Sequence, residues 1–423
     1  LSLLKHFLVI LTSKSYNLNM TMQPKLKTQD ARNLMLACLG LLKEPKKKAN
    51  KADLISAIRR IHVLQIDTIS VVARAHLHIL WSRLGAYDTA WVDELHAEGQ
   101  LFEYFAHAMC YLPIDDYPLW RAVMKNRYTG WKRLKEWADK NAELLENVLS
   151  HIREHGEVRS ADFESGGPES RWGTRKIEAM AMNHLHHTGD LMVARRVNFH
   201  RVFDLRERVH PTWQDENTPD YVQATGELAL QAVKALGIAR EEWVADYFYL
   251  PKRMVYDQLK TFVKDGSLQV LHVEGIAKPV YLHPDNLELF EKAQAGKLKS
   301  TRTTILSPFD PLMNNHARVR ELFNFDYLIE CYTPLAKRVY GYFTLPILHK
   351  GTLVGRMDAK AWRKENRLQV IKLHLEPWVK PDSDLINGMA KTLKDYANWQ
   401  GLNTIEIDWA SDEAFRQAIM ANS

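Results

Sequence analysis

Apolar positions along the chain follow two rhythms, a helical one and an alternating one, and their order repeats. In "ELLENVLSHIREHG", Leu144, Leu145, Val148 and Ile152 fall at helical spacing and Gly156 ends the run. "EVRSADF" follows, with Ser160 placed to cap a short second helix. A Gly- and Pro-rich break, "ESGGPESRWG", leads into "TRKIEAMAMNHLHHTG", whose Ile177, Met180, Ala181 and His184 share one predicted helix face. Two alternating runs, "DLMVARRVN" and "HRVFDLRER", then meet at a turn near Asn198. Three helices followed by a hairpin is the order of a winged helix.

The same order returns downstream. "YVQATGELALQAVKALG", "REEWVADYFYL" and "PKRMVYDQLKTFVKDG" predict three helices, the last with Pro251 near its start. "LQVLHVEG" and "KPVYLHPD" predict the hairpin. A looser copy fills 28–113, with helices in "TQDARNLMLACLGLL", "KADLISAIRRIH" and "DTAWVDELHAEG" and a strand in "LFEYFAHAMCYLP". Beyond residue 300 alternating strands dominate, turning near His349–Gly351 and Lys364–Asn366. A late helix carries Leu385, Met389, Leu393 and Tyr396 as its apolar stripe. The expected fold is α+β: tandem winged-helix (helix-turn-helix) modules at 23–130, 131–216 and 217–300, then a β-barrel-like domain at 301–423.

Length supports several domains, since 423 residues exceed what one core needs. With 57 Lys+Arg against 51 Asp+Glu, the net charge of +6 permits a polyanionic partner without demanding one. The three cysteines, Cys38, Cys110 and Cys331, are far apart and form no C-x-x-C pair, which sets aside zinc ribbons and iron–sulfur clusters. So sparse a set suits a reducing cytoplasm. "LSLLKHFLVILTSKSYNLNM" has too short an apolar run for a secretory signal, and 1–22 is read as an extension ahead of a start at Met20 or Met22. No later stretch approaches the roughly 20 apolar residues of a membrane span.

Winged helices set their third helix in a DNA groove and their hairpin against the backbone. Unequal copies on one chain favour a monomer wrapping one duplex over a palindromic dimer. Candidate phosphate contacts are Lys46, Lys47 and Lys48, then Arg195, Arg196 and Arg201 on the second wing, and Lys337, Arg338, Arg356 and Lys360 in the strands. In "LVGRMDAKAW", alternation puts Arg356, Asp358 and Lys360 on one strand face, either as an ion-pair ladder or as a basic face around a tuned acid. His184 and His187 share a helix face, and His76 and His78 lie close in sequence, but no Cys or carboxylate joins them at ligand spacing. Core positions are therefore expected and no metal. No P-loop, G-x-S-x-G, H-E-x-x-H or dinucleotide-binding fingerprint occurs.

The remaining chemistry lies in "LQIDTISVVARA". Gln65 and Asp67 are two positions apart within an apolar, β-branched run, and on an extended segment both would project from the same face. The alternative makes Asp67 a cap for the next helix and Gln65 a surface residue.

"ARNLMLACLGLL", "VLQIDTISVVARA", "EYFAHAMCYLP", "LSPFDP", "ECYTPLAKRVYGYFTLPILHKGTLVGRMDAK" and "YANWQ" together resemble the YcaQ-type interstrand-crosslink-repair DNA glycosylases, relatives of AlkZ. The likeness runs from about Thr28 to Ile407. It implies tandem winged helices with a β-barrel and removal of N7-alkylated guanines from double-stranded DNA, crosslinks included, without a cofactor. It also implies a Gln-apolar-Asp catalytic pattern, matched by Gln65, Ile66 and Asp67; the AlkZ branch has Gln at the third position. His107, with Tyr104 nearby, is a candidate for the same pocket or for the core. The competing functions are a non-enzymatic winged-helix regulator, indifferent to Asp67, and an adaptor without salt-dependent DNA affinity.

Overall fold

The computed structural model describes residues 25–130, 132–163 and 177–422. The expectation for 1–22, the "ESGGPESRWG" break and the start of the helix after it lie outside the described residues.

Strand β1 (Lys25–Leu26) and the helix Thr28–Cys38 open the chain, but they do not join the elements that follow them in sequence. β1 pairs in parallel with a strand of the third unit, and the helix packs on 221–236 and 287–294. The first unit proper begins at the helix Lys51–Ile61. Asn50 and Asp53 form a capping box at its start, and His62 closes it in the left-handed conformation. Then come β2 (Leu64–Gln65), the helices Ala75–Leu84 and Ala90–Ala97, β3 (Leu101–Phe105) and β4 (Met109–Pro113), in a sheet ordered β2-β4-β3. "LFEYFAHAMCYLP" is thus a hairpin, where the sequence suggested one strand. Ala106 N–H donates to the Ala108 carbonyl and closes a turn that carries no Gly or Asn signal.

The second unit has helices Tyr117–Gly130, Lys132–Lys140, Ala142–His155 and Ile177–Thr188, followed by β5 (Leu191–Val197) and β6 (His200–Leu205). Asn198 and Phe199 both take positive φ at the hairpin tip. Residues after Ser160 form a turn rather than the expected short helix. Of the four residues expected on one face of Ile177–Thr188, Ala181 and His184 are buried while Ile177 and Met180 are exposed. The third unit has helices Tyr221–Leu236, Glu241–Phe248 and Lys252–Lys264, with β7 (Gln269–Val273) and β8 (Val280–Leu282).

β9 (Thr303–Ile305), β10 (Leu345–His349), β11 (Thr352–Trp362), β12 (Arg367–Leu375) and β13 (Thr404–Ile407) make one five-stranded sheet in the order β13-β12-β11-β10-β9. Among the described residues β9 and β13 remain unpaired edges, so the β-barrel-like domain expected is a curled half-barrel. The helix Ser383–Trp399 covers it with the predicted stripe of Leu385, Met389, Leu393 and Tyr396, all buried.

One continuous core joins the first unit, the third unit and the C-terminal sheet. The second unit has its own small core around Ile152, Met182 and Phe203. Its first helix and Met192 join the continuous core through Tyr117, Trp120 and Met124. Polar contacts add to the junction with the first unit: His186 Nε2 meets the Glu103 carbonyl, and Tyr104 hydroxyl donates to the His187 carbonyl. A cleft lies along that junction.

Candidate active site

β2 stops after two residues because its chain changes hydrogen-bonding partner. Ile66 N–H still donates to the Met109 carbonyl at 2.8 Å, extending the ladder by one step. At the next residue the Asp67 carboxylate accepts the Ile69 amide at 2.8 Å, a local turn that competes with further pairing. The helix expected downstream begins only at Ala75, so Asp67 is not its cap. Asp67 is partly exposed and, with Ile66 and Thr68, lines a cleft of about 910 Å³.

The rest of the cleft comes from the β3–β4 hairpin (Phe105, Met109) and the second unit. The helix Ile177–Thr188 contributes Ala179, Asn183 and His187, spaced four apart on one face, and the β5–β6 hairpin contributes Arg196, Phe199, His200 and Arg201. Arg159, Ser160 and Ala161 complete the lining. Among these described residues Asp67 is the one carboxylate, set against three arginines. Nothing in the local sequence signals Asn183, His187 or Phe199 as its neighbours.

Gln65 lies behind that lining at 9% exposure. Its carboxamide meets His107 Nε2 at 3.0 Å, and His107 Nδ1 stands 3.2 Å from the Tyr247 carbonyl on the helix Glu241–Phe248. Burial pushes the His107 ring down to about 4, so it is neutral near pH 7. Tyr104, the other pocket candidate, is fully buried and its hydroxyl is committed to His187. It is a core residue.

The proposed phosphate contacts separate into two groups. Arg196 is buried against Glu103 with bonds of 2.6 and 2.7 Å, and a third bond runs to the Phe199 carbonyl. Arg356 is equally buried, paired with Glu376 at 2.7 Å and stacked on Phe325 and Tyr340. Neither can reach a phosphate as placed. The strand ladder is absent too: a bulge between Asp358 and Ala359 breaks the alternation, leaving Arg356 and Asp358 buried and Lys360 exposed over Trp362. Asp358 instead accepts the Tyr342 amide. Arg195 is half exposed beside Glu157, and Arg201 donates to Asn183 in the cleft. Lys337 is exposed, and Arg338 lies over Tyr342 with a bond to the Thr333 carbonyl. Lys47 pairs with Asp53 on the first unit.

The histidine pairs are packing residues here. His184 sits against Trp137, His187 stacks on Phe105, and His78 bonds the Ile305 carbonyl. Among the described residues no group of three His, Cys, Asp or Glu side chains is placed to hold a metal ion. No helix among them is long and apolar enough to cross a membrane.

The DNA glycosylase AlkZ-like family model matches residues 58–399. Among solved structures, the Streptomyces sahachiroi DNA glycosylase AlkZ aligns with a TM-score of 0.62 at 16% identity, covering 91% of this chain and 100% of its own.

Proposed function

The chain belongs to the AlkZ-like DNA glycosylase family, and from that premise we propose that it hydrolyses the N-glycosidic bond of N7-alkylated guanines in duplex DNA, crosslinked guanines included. The helix–hairpin units are read as winged helices that cradle the duplex, with the damaged nucleotide at the cleft between the first two. The observation that carries the reading is Asp67: partly exposed, held by its turn, and the one carboxylate among the described residues that line the cleft.

Alkylation at N7 gives the guanine a positive charge, so the base leaves with little general-acid help. As the C1′–N9 bond breaks, its electron pair neutralises the departing base and the sugar develops oxocarbenium character. The Asp67 carboxylate faces that charge and accepts the proton of the water that adds to C1′. Among the described lining residues there is no lysine to form a Schiff base.

Gln65 has an orienting role, and His107 fixes which end of its amide does the work. A neutral ring donates from one nitrogen only, and Nε2 faces the Gln65 amide oxygen at 3.0 Å, closer than Nδ1 stands to the Tyr247 carbonyl. With the proton on Nε2, the Gln65 oxygen is held by the ring and its NH2 is left to donate to the water or the sugar.

The test is release of free 7-methylguanine from alkylated duplex by the wild type and by Asp67→Asn. The wild type is expected to release base, and the variant to bind the same duplex while losing about 100-fold or more in rate. An Asp67→Asn variant with undiminished release would end the mechanism, and a wild type that releases none would end the function.

A further inference from the structure

The segment 328–342 sits beside the catalytic loop, and its construction is unusual. It is tightly ordered at its base by two carboxylates. Glu330 accepts the amides of Val339, Tyr340 and Gly341, and Asp358 accepts that of Tyr342. Gly341 is required there, because a Cβ would lie 2.3 Å from the Asp358 carboxylate and its φ is +147°. Yet the side chains this frame presents are apolar and face solvent: Tyr332 is 89% exposed, Leu335 78% and Val339 61%. An ordered loop with so much apolar surface is a contact surface rather than a solvated connection.

Its position says what it contacts. Ala361 N–H donates to the Val71 carbonyl and Arg363 to that of Val72, which docks the end of β11 on the chain just after Asp67. Asp358, which holds the loop, is three residues back along the same strand, about 10 Å away. The Asp67 charge is felt at Cys331, whose thiol is raised first by burial and then by that carboxylate. The exposed charges of the loop are cationic: Lys337 at the tip and Arg338 beside it, with Lys372 bonded to the Val339 carbonyl. Its own acid, Glu330, is buried among backbone amides.

We propose that the loop 328–342 is a DNA wedge, with Tyr332 and Leu335 against the base stack beside the lesion and Lys337 on the phosphate backbone. This rests on the glycosylase reading for its substrate, but it assigns a new surface. Apolar side chains backed by cations are the means by which proteins part base steps and hold the distortion. Duplex DNA is favoured over a second copy of the chain because the ridge is flanked by positive charge, which a like ridge would repel.

The experiment uses a short duplex with one 7-methylguanine and 2-aminopurine as the neighbouring base. Asp67→Asn in the full chain supplies binding without turnover. Binding should raise the 2-aminopurine fluorescence; adding Tyr332→Ala and Leu335→Ala should abolish the rise and weaken affinity roughly tenfold. In the otherwise wild-type chain the same pair should slow single-turnover release. Lys337→Ala should lower the slope of log K against log salt by about one. These are surface residues, so thermal unfolding should be unchanged, which separates the effect from misfolding. A wedge variant that keeps the full fluorescence rise overturns the proposal, as does a wild type whose self-association the double variant abolishes without effect on DNA. If the wild type distorts the duplex but releases no base, the wedge stands and the glycosylase reading falls.

Discussion

Arg196→Ala distinguishes two roles for one arginine. If Arg196 were a phosphate contact, its loss would leave folding stability nearly unchanged and reduce the salt slope of DNA binding by about one. The structure dictates another outcome. Glu103 has a side-chain exposure of 0% and Arg196 one of 8%, and two charge-assisted bonds of 2.6 and 2.7 Å join them. Removing the arginine strands a carboxylate in the protein interior, which costs about 3–5 kcal/mol, against the roughly 0–1 kcal/mol of an exposed pair. Further losses are the bond to the Phe199 carbonyl and the stacking of the guanidinium 4.5 Å from the Phe199 ring centre. Arg74 still lies over the same ring at 4.0 Å, so the hairpin tip is weakened without being released.

The assay is urea unfolding of the full chain, run with a cycle that includes Glu103→Leu and Arg196→Met. The double apolar replacement should recover most of the stability lost in Arg196→Ala, because the penalty comes from the unpaired charge and not from the absence of attraction. Because Arg196 and Phe199 also line the cleft, base release should fall with the integrity of the junction. A stability loss below about 1 kcal/mol, accompanied by a shallower salt slope, would refute the structural role.

Three further outcomes follow from other parts of the fold. His107→Ala should lower the turnover rate several-fold with little change in KM. In 15N spectra of the wild type the ring should be the Nε2–H tautomer near pH 7; an Nδ1–H ring would overturn the orientation given for Gln65. Buried His76, His78 and His186 are held by burial near 3, 4 and 3, below the ordinary 6.5 of an exposed ring. With His107, also near 4, these rings take up roughly four protons on unfolding near pH 5, so their contribution to stability should be fully present above pH 6.5 and fall by about 5 kcal/mol per pH unit towards pH 4; a flat profile would contradict neutral burial. Arg356→Ala should destabilise the C-terminal sheet by about 3 kcal/mol, since it leaves Glu376 without its partner, whereas Lys360→Ala should leave stability within about 0.5 kcal/mol.

What the chain disclosed by itself was local. Helical spacing in 143–155 and 221–236, and alternation in 191–205, depend on near neighbours, and the structure has helices and a hairpin at those places. Non-local pairing left no such trace. β1 joins a sheet whose other strands begin at residue 269, so the helix Thr28–Cys38 could be read with the unit that follows it in sequence but packs on the third. The partner of Arg196 is 93 positions away, and a single bulge after Asp358 was enough to scatter a row of charges that strict alternation would have aligned.

The same distinction explains Asp67. Its apolar setting is written into residues 64–72, because Leu64, Ile66 and Val72 are buried and fix the backbone around it. Its chemical setting is not, because the arginines and the helix face that enclose the cleft come from 159–201, beyond five intervening α-helices. A sequence can therefore reveal that an acid is held rigidly without revealing what it is held against. Among the cleft's described lining residues that setting has one sign, cationic or neutral. On the proposed mechanism, that placement makes Asp67 the described lining group that can face a positive charge arising on the sugar. Under that proposal Arg201, which bonds Asn183 on the helix face of the cleft, is the lining arginine whose neutralisation should slow base release even where DNA binding is restored by lowering the salt.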